Sequence, residues 1–354
     1  MAEEMGFAVV GLGMGKHHCR SITDAPGSRL VAVCDLDEAR LKPEAEKYGC
    51  KSYTNLDDLL NDDEVQVVNI ATPSGTHVDV GVRVAESGRH MIVEKPADIS
   101  TDSIDTLAAA GKKHGVKIGC IFQSRFEPLN ARIHQALQEG RLGNLVGIHG
   151  HLPWYRAQSY FEGPHGEWKG TWDMDGGGSL MNQGVHTVDL IQWFGGGVKA
   201  VFGKFGVFNH DIEAEDQAVA VLQFKNGALG TLFTTTCCYP GYDQRVTIYG
   251  TKGSILKTAT ELLGWQVQDE KGEEEGKEMM RLFGPKDDSL GISSDPMALG
   301  AAGVDGHTVI IQDLVEAIKE DRDPKIGLDS ARHAVAIINA IYESGRTGKE
   351  VVVG

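Results

Sequence analysis

A glycine-rich segment near the start of the chain has the residue types and spacing of a phosphate-binding loop. It is Gly11-Leu12-Gly13-Met14-Gly15, and it follows an apolar run and opens a helical pattern. Glycines there permit a tight turn and let backbone N–H groups approach a pyrophosphate at the helix N-terminus. The segment is one residue shorter than the usual G-x-G-x-x-G pattern, so an ordinary strand-to-helix turn is the alternative. We predict dinucleotide contacts at Gly11, Gly13, Met14 and Gly15.

A carboxylate follows this loop at the separation typical of dinucleotide-binding domains. Asp35 ends the second apolar run, and a carboxylate about 20 residues after the glycines can bind ribose hydroxyls. Because Asp35 would repel a 2′-phosphate, the pattern favours NAD over NADP. Arg40, just over one helical turn further on, counts against this preference. The alternative role for Asp35 is that of a helix N-cap.

The elements that must position these residues alternate regularly over the first 125 residues. Short β-branched runs indicate strands buried on both faces, at 7–11, 29–35, 65–71, 90–94 and 117–122. Helix-length segments lie between them, at 16–24, 38–48, 77–87 and 101–114. This alternation predicts a doubly wound α/β domain over residues 1–125.

The pattern changes after residue 126. A predicted helix at 129–139 leads into strand-like runs at 145–151, 198–208, 217–224, 228–236, 245–249 and 254–257. Turn sequences at 225–227 and 250–253 suggest hairpins, and strands joined by short turns make a largely antiparallel sheet. Segments 269–276 and 285–303 are predicted loops, and helices at 307–320 and 330–344 close the chain. Residues 126–354 are therefore predicted to form a second α/β domain.

Two polar motifs follow predicted strands, and ligands bind at the carboxyl ends of the strands in a doubly wound sheet. They are Ala71-Thr72-Pro73-Ser74-Gly75-Thr76-His77 and Glu94-Lys95-Pro96. A later segment reads Gly178-Ser179-Leu180-Met181-Asn182-Gln183-Gly184-Val185-His186-Thr187-Val188-Asp189. Together these motifs resemble the Gfo/Idh/MocA family (glucose–fructose oxidoreductase, inositol dehydrogenase and rhizopine catabolism). The resemblance covers nearly the whole chain, including Gly306-His307 and Ala340-Ile341-Tyr342-Glu343-Ser344.

The resemblance implies a Rossmann domain followed by an α/β domain with an open, mostly antiparallel sheet that forms the subunit interface. It also implies oxidation or reduction of sugars, inositols or sugar nucleotides with NAD(P). Lys95 matches the lysine of the family's Glu-Lys-Pro motif, and His186 matches the histidine of its Asp-x-x-x-His pair. Asn182 stands where the family has the aspartate of that pair. Since an amide does not exchange a proton at neutral pH, Asn182 can only hydrogen-bond and orient.

Lys95, His186 and Asn182 are the predicted catalytic residues. His186 is suited to accept the hydroxyl proton, because the unperturbed pKa of histidine is about 6.5. Lys95 brings positive charge to the substrate oxygen and favours alkoxide character. Asn182 and His186 are four apart on a predicted helix and so share a face. Asp189 orients the His186 imidazole or forms a salt bridge elsewhere; structural roles for Lys95 and His186 are the alternatives.

Further contacts are predicted from position in the fold. The cofactor contacts beyond the glycine loop and Asp35 are predicted at Thr72, Pro73, Ser74, His77, Glu94, Lys95 and Gln123. The segment 154–172 is rich in aromatic and cationic residues, which stack on sugar C–H surfaces and bind hydroxyls or carboxylates. The substrate contacts are predicted at Lys95, Arg125, Tyr155, Arg156, Trp172, Asn182 and His186. A buried loop core is the alternative for 154–172, and a plain loop is the alternative for the glycines at 176–178.

Composition excludes several classes of partner. The chain has 34 basic and 50 acidic residues and a formal net charge of −16, which argues against nucleic acid or an anionic membrane as the main partner. The six cysteines form no Cys-x-x-Cys pair, and no histidine-rich metal spacing is present, so we predict no metal.

The first residues lack the pattern of a signal peptide, so we expect a cytoplasmic protein. We also expect a homo-oligomer, dimer or tetramer, with a small carbohydrate as substrate.

The favoured function is an NAD-dependent oxidoreductase acting on a carbohydrate-like hydroxyl. One alternative is an enzyme that holds NAD tightly and performs redox-neutral sugar chemistry through a keto intermediate. Another is a non-catalytic dinucleotide-binding regulator, which would keep the glycines and Asp35 but lose the catalytic residues. The presence of both Lys95 and His186 disfavours the regulator.

Overall fold

The computed structural model describes residues 4–163, 165–285 and 305–354. The described residues separate into two compact units. The first contains 4–123, 173–175 and 305–335, and the second contains 124–163, 165–172, 176–285 and 336–354. The predicted division at residue 125 differs from this, because residues 173–175 and 305–335 also belong to the first unit and its first stretch ends at residue 123.

The secondary structure follows in chain order. The strands are β1 (Met5–Val10), β2 (Ser28–Cys34), β3 (Lys51–Tyr53), β4 (Val67–Ile70), β5 (His90–Val93), β6 (Ile118–Cys120), β7 (Leu145–Pro153), β8 (Val198–Gly206), β9 (Gln217–Phe224), β10 (Leu229–Thr235), β11 (Arg245–Gly250), β12 (Gly253–Thr258), β13 (Leu262–Val267) and β14 (Val351–Val352). The α-helices are α1 (Gly15–Asp24), α2 (Glu38–Tyr48), α3 (Leu56–Leu60), α4 (His77–Glu86), α5 (Thr101–His114), α6 (Pro128–Gln138), α7 (Val185–Gly195), α8 (Gly272–Phe283), α9 (Gly306–Lys319) and α10 (Leu328–Thr347). Short 3₁₀ helices cover Ser74–Thr76, Gln123–Phe126 and Gln158–Phe161, and a π-helix covers Ser179–Gly184.

The first unit is built on a six-stranded sheet in the order β3-β2-β1-β4-β5-β6, with every pair parallel. β1 is buried along its whole length, as expected for a strand covered on both faces. The strand order reverses between β1 and β4. Ligands bind beside the carboxyl ends of the strands at such a reversal, which is where the glycine loop and the segment after β4 lie. The predicted doubly wound domain is confirmed.

The second unit is built on an eight-stranded sheet in the order β13-β12-β11-β7-β10-β9-β8-β14. The β7–β10 pair is parallel and the other pairs are antiparallel, so the mostly antiparallel sheet predicted from the sequence is present. Burial alternates along β9, so one face of the strand is covered. The opposite face exposes large apolar side chains, among them Phe202 on β8 and Val219 and Val221 on β9.

Residues 272–276 of the predicted loop 269–276 begin α8, and this prediction was wrong. The segment is strongly acidic, and acidic residues are favoured in the first turn of a helix by its dipole. Gly276 allows close packing on β13, because a Cβ there would lie 2.6 Å from the carbonyl oxygen of Trp265. The predicted loop at 285–303 lies outside the described residues except for Pro285.

The predicted helix around Asn182 and His186 is also modified. Asn182 lies in the π-helix and His186 lies in the first turn of α7, so the two do not share one regular α-helix. Short π-helical segments inside or beside α-helices occur frequently at functional sites. In the part of the chain that the structure describes, no helix is long and apolar enough to span a bilayer.

Candidate active site

The three loop glycines have different structural roles. Gly11 has a φ of +89°, and a Cβ there would lie 2.6 Å from the carbonyl oxygen of Ala71. A Cβ on Gly15 would lie 2.7 Å from Val9 Cγ1, so this glycine lets α1 pack against β1. A Cβ on Gly13 would meet only Arg40 Nη1, at 3.9 Å. The surface at Gly13 is therefore open to a ligand.

Asp35 fixes the loop through both carboxylate oxygens. Its Oδ2 accepts the backbone N–H of Leu12 at 2.6 Å, and its Oδ1 accepts that of Asp37 at 2.8 Å. The N-cap of α2 is Asp37, which accepts the N–H of Ala39. Asp35 is therefore not the helix cap that the sequence left as an alternative, and its carboxylate lies beside the predicted cofactor loop.

The segment after β4 is held to the Glu-Lys-Pro motif by His77. One imidazole nitrogen, Nδ1, lies 2.8 Å from the carbonyl oxygen of Pro96, and the other, Nε2, lies 2.8 Å from that of Thr72. Burial lowers the pKa of His77. Ser74 is buried at the start of its 3₁₀ helix, which follows Pro73. His77 therefore ties together two segments at the carboxyl edge of the sheet.

Glu94 and Lys95 follow β5 directly. Glu94 is buried, and its Oε2 accepts the backbone N–H of Lys95 at 2.9 Å, whereas Lys95 is half-buried. The Oε1 of Glu94 lies 2.8 Å from His18 Nε2 and 3.6 Å from His307 Nε2. The sequence did not single out His307 for this network, because a contact between α9 and β5 has no signature in local spacing.

The first unit fits a dinucleotide on two further observations. Within the described residues, the buried Oε1 of Gln123 has no hydrogen-bond partner, so it can accept one from a ligand. The N-terminus of α1 has no side-chain cap and no acidic residue in its first turn, which leaves it favourable for a phosphate. The N-cap residue is Met14, whose side chain is exposed. The residues that would hold NAD are therefore the loop glycines, Asp35 and Gln123.

In the second unit, Asn182 belongs to a polar cluster. Its Oδ1 accepts from Gln183 Nε2 at 2.7 Å and from the Tyr160 hydroxyl at 3.4 Å. The Arg156 guanidinium donates to Gln183 Oε1 at 2.8 Å and lies over the Tyr160 ring. Lys169 Nζ lies 3.8 Å from the centre of the same ring. The cluster brings amide, hydroxyl and cationic groups together near His186, which is half-buried.

Glu215 holds the N-terminal end of the π-helix through hydrogen bonds, and the sequence analysis did not predict this role. It is fully buried, and its carboxylate accepts from the backbone N–H groups of Gly178 and Leu180 and from the hydroxyls of Ser179 and Tyr342. Burial raises the pKa of Glu215. The sequence signal, an acidic residue inside 213–216, resembles an ordinary surface run.

Two of the three glycines at 176–178, Gly177 and Gly178, serve internal packing. A Cβ on Gly177 would lie 2.0 Å from the Tyr342 hydroxyl, and one on Gly178 would lie 1.9 Å from the Glu215 carbonyl oxygen. These close approaches account for both glycines without a ligand, so the proposed approach of this backbone to a ligand stays a prediction.

Arg125 and Asp189 form a buried ion pair. The Arg125 guanidinium donates to both carboxylate oxygens of Asp189, at 2.8 and 2.5 Å, and its side chain is 9% exposed. The salt bridge left open for Asp189 is therefore present. The pair anchors α7. The substrate contact of Arg125 stays a prediction.

The two remaining predicted substrate contacts lie in aromatic environments. Tyr155 forms an isolated β-bridge with Cys237, and its ring meets that of Tyr239 edge-on. The ring of Trp172 packs edge-on against Phe205 and Tyr342, and the Arg346 guanidinium lies 4.7 Å from its centre. Trp172 is therefore largely engaged within the second unit, as expected for the loop-core alternative.

A group that could supply metal ligands, His210, Asp216 and Cys237, has another explanation. Asp216 accepts the backbone N–H groups of Phe208, Asn209 and His210, and it lies 3.1 Å from the His210 ring. These contacts account for Asp216 as a loop anchor. That the protein binds no metal stays a prediction.

Comparison with known proteins identifies the family. A family model described as an oxidoreductase family with an NAD-binding Rossmann fold matches residues 5–122, and one described as the Gfo/Idh/MocA C-terminal domain matches 130–256. The chain is 30% identical over 263 residues to the uncharacterized oxidoreductase YrbE of Bacillus subtilis (strain 168), over 72% of this chain and 74% of that protein. The chain belongs to the Gfo/Idh/MocA family. The resemblance inferred from the motifs is confirmed.

Two further relatives bear on the cofactor. The scyllo-inositol 2-dehydrogenase (NAD(+)) of Bacillus subtilis (strain 168) is 27% identical over 264 residues, over 72% of this chain and 74% of that protein. The structure of WlbA dehydrogenase from Bordetella pertussis in complex with NADH and UDP-GlcNAcA is similar with a TM-score of 0.87 and 26% identity, covering 100% of this chain and 99% of that one. This Gfo/Idh/MocA protein is an NAD-dependent oxidoreductase, as predicted.

Proposed function

We propose that this protein transfers a hydride between NAD and a hydroxyl-bearing carbon of a cyclic carbohydrate: a sugar, polyol or sugar nucleotide. The observation that carries the proposal is the placement of Asn182 in a buried π-helix directly before the half-buried His186. The Glu215 carboxylate fixes this segment by three hydrogen bonds, from Gly178, Ser179 and Leu180. A pre-organised amide beside a histidine suits binding of one hydroxyl and deprotonation of its neighbour.

The proposed roles divide the chemistry between two residues. During oxidation His186 accepts the hydroxyl proton, and the Lys95 ammonium stabilises the negative charge that develops on the oxygen. The loop glycines, Asp35 and Gln123 would hold NAD, which would supply the hydride acceptor for the carbon that carries this hydroxyl. Asn182 holds a neighbouring hydroxyl. In the reverse direction His186 returns the proton to the oxygen.

The polar cluster supports a substrate with many hydroxyls. Arg156 and Tyr160 adjoin Asn182 through Gln183, so the segment 154–172 brings donors and an aromatic ring to the same place. Of the relatives named above, one is a scyllo-inositol dehydrogenase and another binds UDP-GlcNAcA, and both of these ligands carry ring hydroxyls. The proposed substrate is therefore a carbohydrate ring carrying at least two neighbouring hydroxyls.

The test is a screen for NAD reduction over free sugars, inositols, uronic acids and sugar nucleotides. We expect NADH, detected by absorbance, with one of these classes and with a strong preference for NAD over NADP. Substrate conversion without net NADH would favour the redox-neutral alternative. NAD binding without conversion of any of these substrates would favour the regulator.

We also propose a homo-oligomer, dimer or tetramer, assembled through the exposed face of the second sheet. Phe202 and Val221 are cross-strand partners on β8 and β9, and they are 43% and 51% exposed. Contiguous apolar surface of this kind marks interaction sites in folded proteins.

A further inference from the structure

A cluster of histidines and carboxylates in the first unit includes the glutamate of the Glu-Lys-Pro motif. Two of its histidines are on α1, a third is at the start of α9, and the carboxylates come from Glu94 and from the residue that caps α9. The cluster consists of His17, His18, Glu94, Asp305 and His307. Three of its members, His18, Glu94 and His307, are less than 9% exposed.

Glu94 connects this cluster to Lys95. Its Oε2 accepts the Lys95 backbone N–H at 2.9 Å, and its Oε1 faces His18 Nε2 at 2.8 Å and His307 Nε2 at 3.6 Å. The side-chain nitrogen of Asn69 lies 3.0 Å from His18 Nδ1. Because an amide nitrogen only donates, His18 Nδ1 accepts, and Nε2 carries the proton donated to Glu94. His18 is therefore neutral and does not balance the carboxylate charge.

His307 supplies the positive charge. Its Nδ1 lies 3.4 Å from Asp305 Oδ1 and its Nε2 faces Glu94, so the ring lies between two carboxylates. Asp305 is itself held by Ser21 and by His17 Nε2, the latter at 3.2 Å. The two carboxylates raise the pKa of His307 to about 9 against the effect of burial. A buried carboxylate deprived of its cation is strongly destabilised.

We propose that His307 is a positioning residue for Lys95, acting through the Glu94 carboxylate. By holding Glu94 ionised and in place, His307 fixes the hydrogen bond to the Lys95 backbone N–H and thereby the origin of the lysine side chain. The inference rests on the proposed catalytic role of Lys95. According to this inference, a residue of α9, which is far from the Glu-Lys-Pro motif in sequence, helps to determine where the Lys95 ammonium lies.

The prediction concerns turnover more than binding. A misplaced catalytic group costs up to about 100-fold in rate. We therefore expect His307→Gln and Glu94→Gln to lower kcat by about 10- to 100-fold. For His307→Gln the Kd for NAD should change by no more than about 3-fold, because His307 is not among the predicted cofactor contacts.

The experiment is a double-mutant cycle on kcat with His307→Gln, Glu94→Gln and the double variant. If His307 acts through Glu94, the double variant loses no more than the more damaged single variant. His114→Gln, on the last turn of α5, is the matched histidine control. If His307→Gln does not fold, Asp305→Asn takes its place. Asn is also a good N-cap, so this variant keeps the cap of α9. We expect Asp305→Asn to lower kcat by a smaller factor than His307→Gln.

Two results separate the inference from the proposed function. If Lys95→Ala keeps full turnover, the proposed role of Lys95 is wrong. If Lys95→Ala is inactive while folded His307→Gln and Glu94→Gln turn over as the wild type does, this inference is overturned and the proposed function stands. Losses that multiply in the double variant would also overturn it, because the two residues would then act independently.

Discussion

The Asp35 carboxylate accepts the backbone N–H of Leu12 at 2.6 Å, so the residue expected to select the cofactor also holds the loop that binds it. The same side chain accepts the N–H of Asp37. Substitutions at Asp35 should therefore affect loop order and cofactor choice together. A serine can still accept one of these hydrogen bonds but carries no charge.

We expect Asp35→Ser to weaken NAD binding and to strengthen NADP binding by at least about 10-fold, which corresponds to about 1.4 kcal/mol. Arg40, whose Nη1 lies 3.9 Å from the Cβ position of Gly13, is then placed to meet a 2′-phosphate. Calorimetric titration of both cofactors measures the change, with Asp35→Ser/Arg40→Ala as the control. An unchanged ratio of the two affinities would remove Asp35 from cofactor selection.

Gly11 and Gly13 should respond differently to the same substitution. Gly11→Ala forces a side chain into positive φ and against Ala71, so we expect a clear drop in Tm from a strain of at least about 1 kcal/mol. Gly13→Ala meets open space and should keep a normal Tm while weakening NAD binding. Thermal unfolding and calorimetry test the pair. Normal NAD affinity in Gly13→Ala would show that the pyrophosphate does not approach that residue.

Lys95→Ala and His186→Ala should each lower turnover by about 10²- to 10⁴-fold while NAD still binds. Asn182→Ala should mainly raise KM, and Asn182→Asp should remain active. Steady-state kinetics with the substrate found by the screen measures these effects. If His186→Ala turns over normally while Lys95→Ala is inactive, the lysine is the proton acceptor and our assignment of roles is reversed.

Val221→Lys should convert the proposed oligomer to a monomer, because it places a charge on the exposed face of β9 beside Phe202. Light scattering at micromolar concentration reports the mass. Leu36→Lys, at a residue of the first unit that is 89% exposed, is the matched control and should leave the mass unchanged. A wild-type monomer under the same conditions would contradict the proposal at once.

Stability should fall at alkaline pH as His307 loses its proton. Its pKa is raised from 6.5 to about 9, so its contribution is complete below about pH 6.5 and is lost as the pH rises through about 9. His17, His18, Asp305 and Glu94 face the ring, and the two carboxylates stay ionised throughout this range because their pKa values are lowered. The Tm of the wild type should therefore decline more steeply between pH 7 and 10 than that of His307→Gln. If the Tm of both proteins changes with pH in the same way, His307 does not carry the positive charge assigned to it.

Sequence reasoning located the elements with strong periodicity and the motifs at their ends. The bounds of α2, α5 and β9 were predicted without error, because caps and turn residues flank their apolar patterns. It did not find α8, whose acidic first turns read as a loop, and it made the segment around Asn182 a plain α-helix. Glu215 and His307 were missed as supporting residues because their partners lie far away along the chain. Local patterns carry no information about such pairings.

The first unit is built from stretches of chain that are far apart in sequence, and this determines the order in which its parts are synthesised. As translation proceeds from the N-terminus, the six strands of the first sheet leave the ribosome long before α9 does. Until then, the buried Glu94 carboxylate lacks its counter-cation from His307. The strands of the second sheet are synthesised after β6 and before α9, so most of the second unit is made before the first unit is complete. The first unit is therefore completed late in synthesis, after the bulk of the second unit has been made.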